Sequence, residues 1–346
     1  MKITFCCQTT GCGNNGGTAT IFHSVNVLSE LGHQVNVVSD KKNMFTWFRL
    51  KGAKFIKEEG MAYPNADVIL ATGAGSVRNV LNAPVDKGVK FWWIRAHETW
   101  IMDEALLLSL YRRRELNKLV NSKGLQKFIH KMIESPLTVI RPGLDFDVFY
   151  QMSRNRVWKD KVFTLGALYN RKSAKRFKWI PFICQRLKEL EIEYKLKLYG
   201  TRDDPVGEYD EYICQPRPKE LRQLYNDVDF WIAPTNAEGL HIPPQEAMLC
   251  GCIVIGASGE LNGMNDYIEQ GVTGFLVNSA EEVVQLINKF SKGNGDGLSR
   301  ISKAGMDRII SMGDRRQNMS SLVKVFENAV YLDKKVRRDR VLRRGR

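Results

Sequence analysis

Two glutamates with seven residues between them bracket the stretch that carries the most chemistry, Glu238-Gly-Leu-His-Ile-Pro-Pro-Gln-Glu246. An apolar run, DFWIAPT, leads into it as a buried strand, and Pro243-Pro244 then opens a helix, which puts Glu246 within the first turn. The backbone N–H groups of Gly239, Leu240, His241 and Ile242, backed by that helix N-terminus, read as a cradle for an anion. Carboxylates beside a phosphate are repelled by it unless they point at neutral hydroxyls. A sugar nucleotide carries such hydroxyls on both sides of its diphosphate. Taken singly, Glu246 reads as a helix cap and Glu238 as a solvated acid; only the whole constellation points to a site.

A second candidate for anion binding lies near the start, in TGCGNNGGTAT at residues 10–20. Gly11, Gly13 and Gly16 match the G-x-G-x-x-G pattern of dinucleotide-binding enzymes, and Asp40 ends the next strand where a ribose-binding acid would sit. Those features support an alternative reading as an NAD(P)-dependent oxidoreductase. Against it, Gln8-Thr9-Thr10 separate the strand from the first glycine, so the helix begins only after Gly16-Gly17 and the loop is too long for the fingerprint. Such a loop, ending in two glycines at a helix start, still offers amides to a phosphate. Metal signals are weak. Asp145-Phe-Asp147 lies in a linking segment, Asp227-Val-Asp229 leads into a buried strand, and Cys250-Gly-Cys252 has no second pair at ligand spacing, so no metal site is assigned.

The elements that must hold these groups alternate along the chain. KITFCC, QVNVVSD, AKFIK, DVILATG and VKFWWIRA read as strands with helices between several of them, and DEALLLSLYRRRELNKLV and GLQKFIHKMIE as helices. A Pro-Gly turn in TVIRPGLDFDVF marks a domain boundary, after which a second alternation begins at KVFTLGALY. The expectation is two doubly wound α/β domains, each of roughly 150 residues, with the carboxyl ends of both sheets facing one cleft. Their limits fall at residues 1–145 and 161–312 with a link at 146–160, a C-terminal helix at 313–330 that crosses back to the first domain, and a basic tail at 331–346. Hydrophobic content of 43% and charged content of 26% over 346 residues are those of a globular protein. The net charge of +14 calls for an anionic partner. The seven cysteines fit reduced thiols, and no signal peptide or membrane span is read, so a cytoplasmic location is expected. A non-enzymatic basic protein using the tail and YRRRELNK on nucleic acid is the other alternative, which the Glu238 to Glu246 block makes unneeded.

The block EGLHIPPQEAMLCGCIVIG resembles the signature of the family 4 retaining glycosyltransferases of GT-B fold, which have the same seven-residue spacing between the two acids. The resemblance extends to the Gly16-Gly17 loop, FWWIRAHE, VIRPGLDFDVF and LYGTRDD with its Gly200. It implies metal-independent transfer of a sugar from a nucleotide-sugar donor to an acceptor hydroxyl with retention, and no further cofactor. It further implies that Glu246 binds the ribose, that Glu238 binds the transferred sugar, and that Gly239 to Ile242 with Gly16 and Gly17 hold the diphosphate. His97 matches the family's first-domain histidine near the sugar. The diphosphate lysine maps to Lys175, with Arg171 as helper and Lys172 as the alternative. The sequence departs from the family at His241, where Gly is common, and at Cys252, where Pro is common. Relatives often act on lipid-linked or envelope acceptors. DEALLLSLYRRRELNKLVNSKGLQKFIHK, with Arg112, Arg113, Arg114, Lys118, Lys123, Lys127 and Lys131 on leucine-rich helical faces, therefore raises the expectation of peripheral attachment to an anionic inner membrane surface. The donor base, sugar, acceptor and linkage stay open.

Overall fold

Apart from Lys2, every residue of the first strand, β1 (Lys2–Cys6), is buried, the pattern of a strand covered on both faces. The computed structural model describes all residues except 10, 11, 41–44, 59, 61, 153–157, 159–161, 294, 296, 345 and 346. Gly11 of the glycine pattern and part of the expected link therefore lie outside the described residues. In chain order β1 is followed by α1 (Gly16–Glu30), β2 (Gln34–Ser39), β3 (Lys54–Lys57), β4 (Val68–Ala71), α2 (Val77–Asn82), β5 (Val89–Ile94), α3 (Glu104–Tyr111), β6 (Asn117–Val120), α4 (Lys123–His130) and β7 (Leu137–Val139). The seven strands pair in the order β3-β2-β1-β4-β5-β6-β7, all parallel, and the order reverses beside β1. In such sheets ligands sit beyond the strand carboxyl ends at that reversal.

The second unit repeats the plan with β8 (Phe163–Leu168), α5 (Trp179–Glu189), β9 (Tyr194–Gly200), β10 (Glu211–Cys214), α6 (Pro218–Asp227), β11 (Phe230–Ala233), α7 (Ile242–Leu249), β12 (Ile253–Ala257), β13 (Phe275–Val277), α8 (Ala280–Ser291) and α9 (Leu298–Ser311). Its six strands run parallel in the order β10-β9-β8-β11-β12-β13. Both sheets thus have the doubly wound order expected from the alternation.

The chain divides into Met1–Gly143 with Arg315–Arg346, and Leu144–Asp314. Leu144 bridges Asp314 within the second unit, and Phe146, Val148 and Phe149 pack into its core, so the segment expected as a link starts as part of that unit. The last helix, α10 (Arg315–Arg344), belongs to the first unit. Its Met319, Leu322, Val323 and Phe326 join Ile21, Phe22 and Val25 of α1 and Phe91 of β5 in one core. The helix continues to Arg344 through the described part of the stretch expected as a tail. Its Lys, Arg and Leu residues are good helix formers, and Asp333 pairs with Arg337 one turn on at 2.7 Å.

One helix expectation is corrected. Residues 103–120 do not form a single helix: α3 stops at Tyr111 and β6 occupies Asn117–Val120. Leu119 and Val120 are buried between β5 and β7, and Lys118 is buried as well, giving its ammonium to the carbonyls of Arg113 at 2.7 Å and Leu116 at 3.1 Å. A four-residue strand carrying a lysine that caps carbonyls has no alternation to betray it.

Candidate functional site

The loop between β11 and α7 is fixed from below. Asn262 donates to the carbonyls of Thr235 (3.1 Å) and Ala257 (2.7 Å), and the amide of Gly263 donates to the Glu238 carbonyl at 2.7 Å. A Cβ on Gly263 would lie 2.3 Å from the Leu240 Cα, so the loop runs through space that only glycine leaves open. Gln245 donates its side-chain amide to the carbonyls of Leu240 (3.2 Å) and His241 (3.1 Å), and Tyr267 donates to that of His241 at 3.0 Å. With the carbonyls taken, the amides of Gly239, Leu240 and His241 donate to no backbone acceptor among the described residues. This is the geometry of an anion cradle.

His241 sits at the N-cap of α7 with φ of 57°, a left-handed conformation that glycine adopts freely and histidine does not. Its buried Nδ1 has no hydrogen-bond partner. Burial, reinforced by the charge of Lys175, lowers its pKa to about 3. The ring is therefore neutral at ordinary pH. The histidine in place of the family's glycine keeps the glycine backbone and carries its strain.

Lys175 ends a short 3-10 turn, Ser173–Lys175, and its ammonium binds the Glu238 carboxylate, both side chains being roughly three-quarters buried. Thr235 ties the turn to the loop by donating to the Lys175 carbonyl at 3.5 Å. Burial draws the Lys175 pKa below the usual lysine value, and the charge of Lys172 pushes the same way. Glu246 is the fifth residue of α7, one residue deeper than expected, because the helix starts at Ile242 and has no acid in its first turn. Tyr225 donates to its Oε2 at 3.1 Å, and the Tyr225 hydroxyl lies 3.0 Å from that of Tyr199. Burial pushes the pKa of both tyrosines up, so they stay protonated and able to donate.

Other expected residues stand apart from this group. Arg171 is turned to Tyr169 (2.9 Å) and to the carbonyl of Asp204 (2.8 Å), and the Lys172 amide is engaged by Asn170. A Cβ on Gly200 would fall 2.7 Å from the Tyr212 hydroxyl, which is sufficient reason for glycine there. Asp229 accepts from the Thr164 amide at 2.9 Å, Asp227 pairs with Lys197 at 2.9 Å, and the Cys252 thiol points to the carbonyls of Tyr225 and Val228. Among the described residues no three His, Cys, Asp or Glu side chains converge as metal ligands would.

In the first unit, Asn15 caps α1 by accepting from the Thr18 amide at 3.0 Å, and Gly16 begins the helix with nothing near the position a Cβ would take. Asp40 is engaged by the Thr9 amide at 3.0 Å. His97, expected near the sugar, is 6% exposed: Nδ1 lies 3.4 Å from the Tyr111 hydroxyl and Nε2 3.3 Å from the Glu104 carboxylate. Arg95, two residues earlier, went unnoticed in the sequence. Its guanidinium donates to the carbonyl of Thr72 through Nη2 at 2.6 Å and to that of Gly17 through Nη1. The signal was an arginine closing the wholly apolar run FWWI. On the basic stretch, Arg112, Arg113, Arg114, Lys123, Lys127 and Lys131 are exposed, but Leu107 and Leu110 face the core and Lys118 is buried. Among the described residues no helix is long and apolar enough to cross a membrane.

Residues 159–292 match the family model of the glycosyl transferases group 1. Among curated proteins none matches the sequence. The chain superposes on the Anabaena protein HepE in complex with UDP-glucose with a TM-score of 0.76 at 14% identity, covering 95% of this chain and 100% of that one. For the sucrose-phosphate synthase of Thermosynechococcus elongatus the TM-score is 0.75 at 12% identity, over 95% and 98% of the two chains. WaaG, a glycosyltransferase involved in lipopolysaccharide biosynthesis, gives a TM-score of 0.67 at 12% identity, over 94% and 99%. At such identities the likeness is one of fold, the GT-B type.

Proposed function

Because the chain carries a glycosyl transferase group 1 domain over residues 159–292 within a GT-B fold, we propose that it moves a sugar from a nucleotide-sugar donor to an acceptor hydroxyl, with retention and without a metal. The observation that supports this most is that the two acids of the signature have separate settings, Glu238 against Lys175 and Glu246 against Tyr225. Glu246, which accepts from the Tyr225 phenol, takes the two hydroxyls of a ribose. The amides of Gly239 to Ile242 receive the diphosphate. Lys175 then exchanges Glu238 for the phosphate oxygens and stabilises the leaving group, while Glu238, released, accepts from a hydroxyl of the sugar. An oxocarbenium-like sugar is met by the acceptor on the face the diphosphate leaves; no carboxylate is assigned as a nucleophile.

Gly16 and Gly17 are assigned to the donor's phosphates and His97 to the sugar, the latter by exchanging its exposed partner Glu104. Arg171 serves only if it leaves Asp204, and Gly200 acts by letting Tyr212 pack. UDP-sugars are the first donors to try, since HepE binds UDP and UDP-glucose. The acceptor is a hydroxyl of a glycan, a lipid-linked sugar or a small molecule. Work in the cytoplasm, with salt-sensitive attachment to an anionic membrane surface through Arg112 to Arg114, completes the proposal; with Leu107 and Leu110 buried, that attachment is electrostatic.

A thermal-shift series with UDP, GDP, ADP, CMP and NADH tests the reading. A ligand at 100 times its Kd adds about 2.7 kcal/mol of stability, so one nucleoside diphosphate should raise Tm clearly and NADH should not. A response to NADH alone would restore the oxidoreductase reading.

A further inference from the structure

In the first unit a cation stands where the helix it touches disfavours one. Arg95 follows β5, and its guanidinium reaches across the end of β4 to the first turn of α1. Nε and Nη2 both donate to the Thr72 carbonyl, at 3.2 and 2.6 Å, and Nη1 donates to the Gly17 carbonyl. A Cβ on Gly17 would lie 2.9 Å from that Nη1, so the second glycine of the pair makes room for the guanidinium. A positive charge at a helix N-terminus opposes the helix dipole, which favours anions there. Among the described residues no carboxylate is hydrogen-bonded to it; Glu98, the acid that faces it, spends its Oε2 on the Ala74 amide at 2.5 Å. The guanidinium is held by neutral carbonyls beside the positive end of a helix, with Glu98 as the carboxylate that acts on it.

We propose that Arg95 is a positioning residue for donor binding: it pins the Gly17 carbonyl back, holds the first turn of α1 with its amides presented, and adds a fixed positive charge behind them. The inference rests on the assignment of Gly16 and Gly17 to the donor's diphosphate. Gly17 and Arg95 then act as one device, since a methyl group on Gly17 displaces the guanidinium and a shortened cation at position 95 releases the carbonyl.

The test is a cycle of Arg95→Lys, Gly17→Ala and the double variant, with UDP binding by calorimetry, donor KM, kcat per folded molecule, and Tm. Each single change should raise the UDP Kd and the donor KM by about tenfold, the loss of one charge-assisted hydrogen bond, and leave kcat within about threefold. The double variant should be no weaker than the weaker single one. Variants that melt earlier but bind UDP like the wild type would overturn the role of Arg95 and leave the donor reading intact, as would two losses that simply multiply. A wild-type protein that binds none of UDP, GDP and ADP would overturn the donor reading and this inference with it.

Discussion

Lys175 in the second unit and Arg95 in the first are both cations drawn into the protein, and they are held in opposite ways. Lys175 has a carboxylate, Glu238, on its ammonium. Among the described residues Arg95 donates to carbonyls, those of Thr72 and Gly17, and Glu98 faces it without a hydrogen bond. A lysine paired with an acid can trade that partner for a phosphate, and burial lowers its pKa, so its charge is lost sooner on the alkaline side than an ordinary lysine's. A guanidinium bound to carbonyls keeps both its place and its charge. The two cations thus divide the work: one is exchanged during the reaction, the other holds the scaffold on which an anion rests.

The difference can be broken most violently at Lys175. Lys175→Ala should lower turnover by about 10² to 10³, the usual loss when a group stabilising transition-state charge is removed, with UDP binding far less affected. Steady-state kcat beside a calorimetric Kd separates the two. An equal effect of Lys172→Ala would move the role to its neighbour. The pH dependence sharpens the same point. The protonated ammonium is the working form, so activity should hold at neutral pH and fall as pH rises through a pKa depressed by burial, earlier than an ordinary lysine would dictate. Lys175→Arg should retain some activity and carry the fall beyond the measurable range; an unmoved alkaline limb would show that another group titrates.

Much of the second unit's site was legible because it is contiguous. Glu238, Gly239 and Glu246 fall within nine residues, so strand, loop and helix can be read in one pass, and Glu246 lies one residue deeper in α7 than that reading has it. The short turn bearing Lys175 could be placed only by resemblance, since sixty residues separate it from the loop it joins. In the first unit the relevant groups come from the ends of two strands, β4 and β5, and the start of one helix, α1, and Arg95 has no motif around it. The strand β6 was hidden for a related reason: a buried lysine whose charge is absorbed by carbonyls reads as surface. Parallel sheets buried on both faces announce their strands by apolar runs; short edge strands such as β7, β10 and β13 do not.

His241 offers a smaller test on the second unit alone. Its imidazole has a pKa of about 3 in the folded protein against an ordinary 6.5. The unfolded chain takes up a proton as pH falls through the ordinary value and the folded one does not. Stability from this residue is therefore full above about 6.5 and is lost progressively down to about 3. In urea unfolding compared at neutral pH and at about pH 4.5, His241→Asn should lose less stability on acidification than the wild type. Equal losses would mean that the ring is not held neutral.

The smallest effect is expected at the surface of the first unit. Arg112, Arg113 and Arg114→Glu should weaken binding to anionic vesicles at low salt, where each engaged basic residue contributes about 1 kcal/mol, without altering kcat on a soluble acceptor. Cosedimentation that is absent in the wild type, or indifferent to these changes, would remove the membrane from the account.

The division of labour between the two acids is the central claim, and calorimetric titration of UDP, or of whichever nucleoside diphosphate raises Tm, into the wild type, Glu246→Ala and Glu238→Ala tests it directly. Glu246→Ala should weaken binding by roughly 1.5 to 3 kcal/mol, the worth of hydrogen bonds to a charged group, while Glu238→Ala should bind the diphosphate like the wild type and fail in turnover. Equal loss of affinity in both variants, or none in Glu246→Ala, would contradict it.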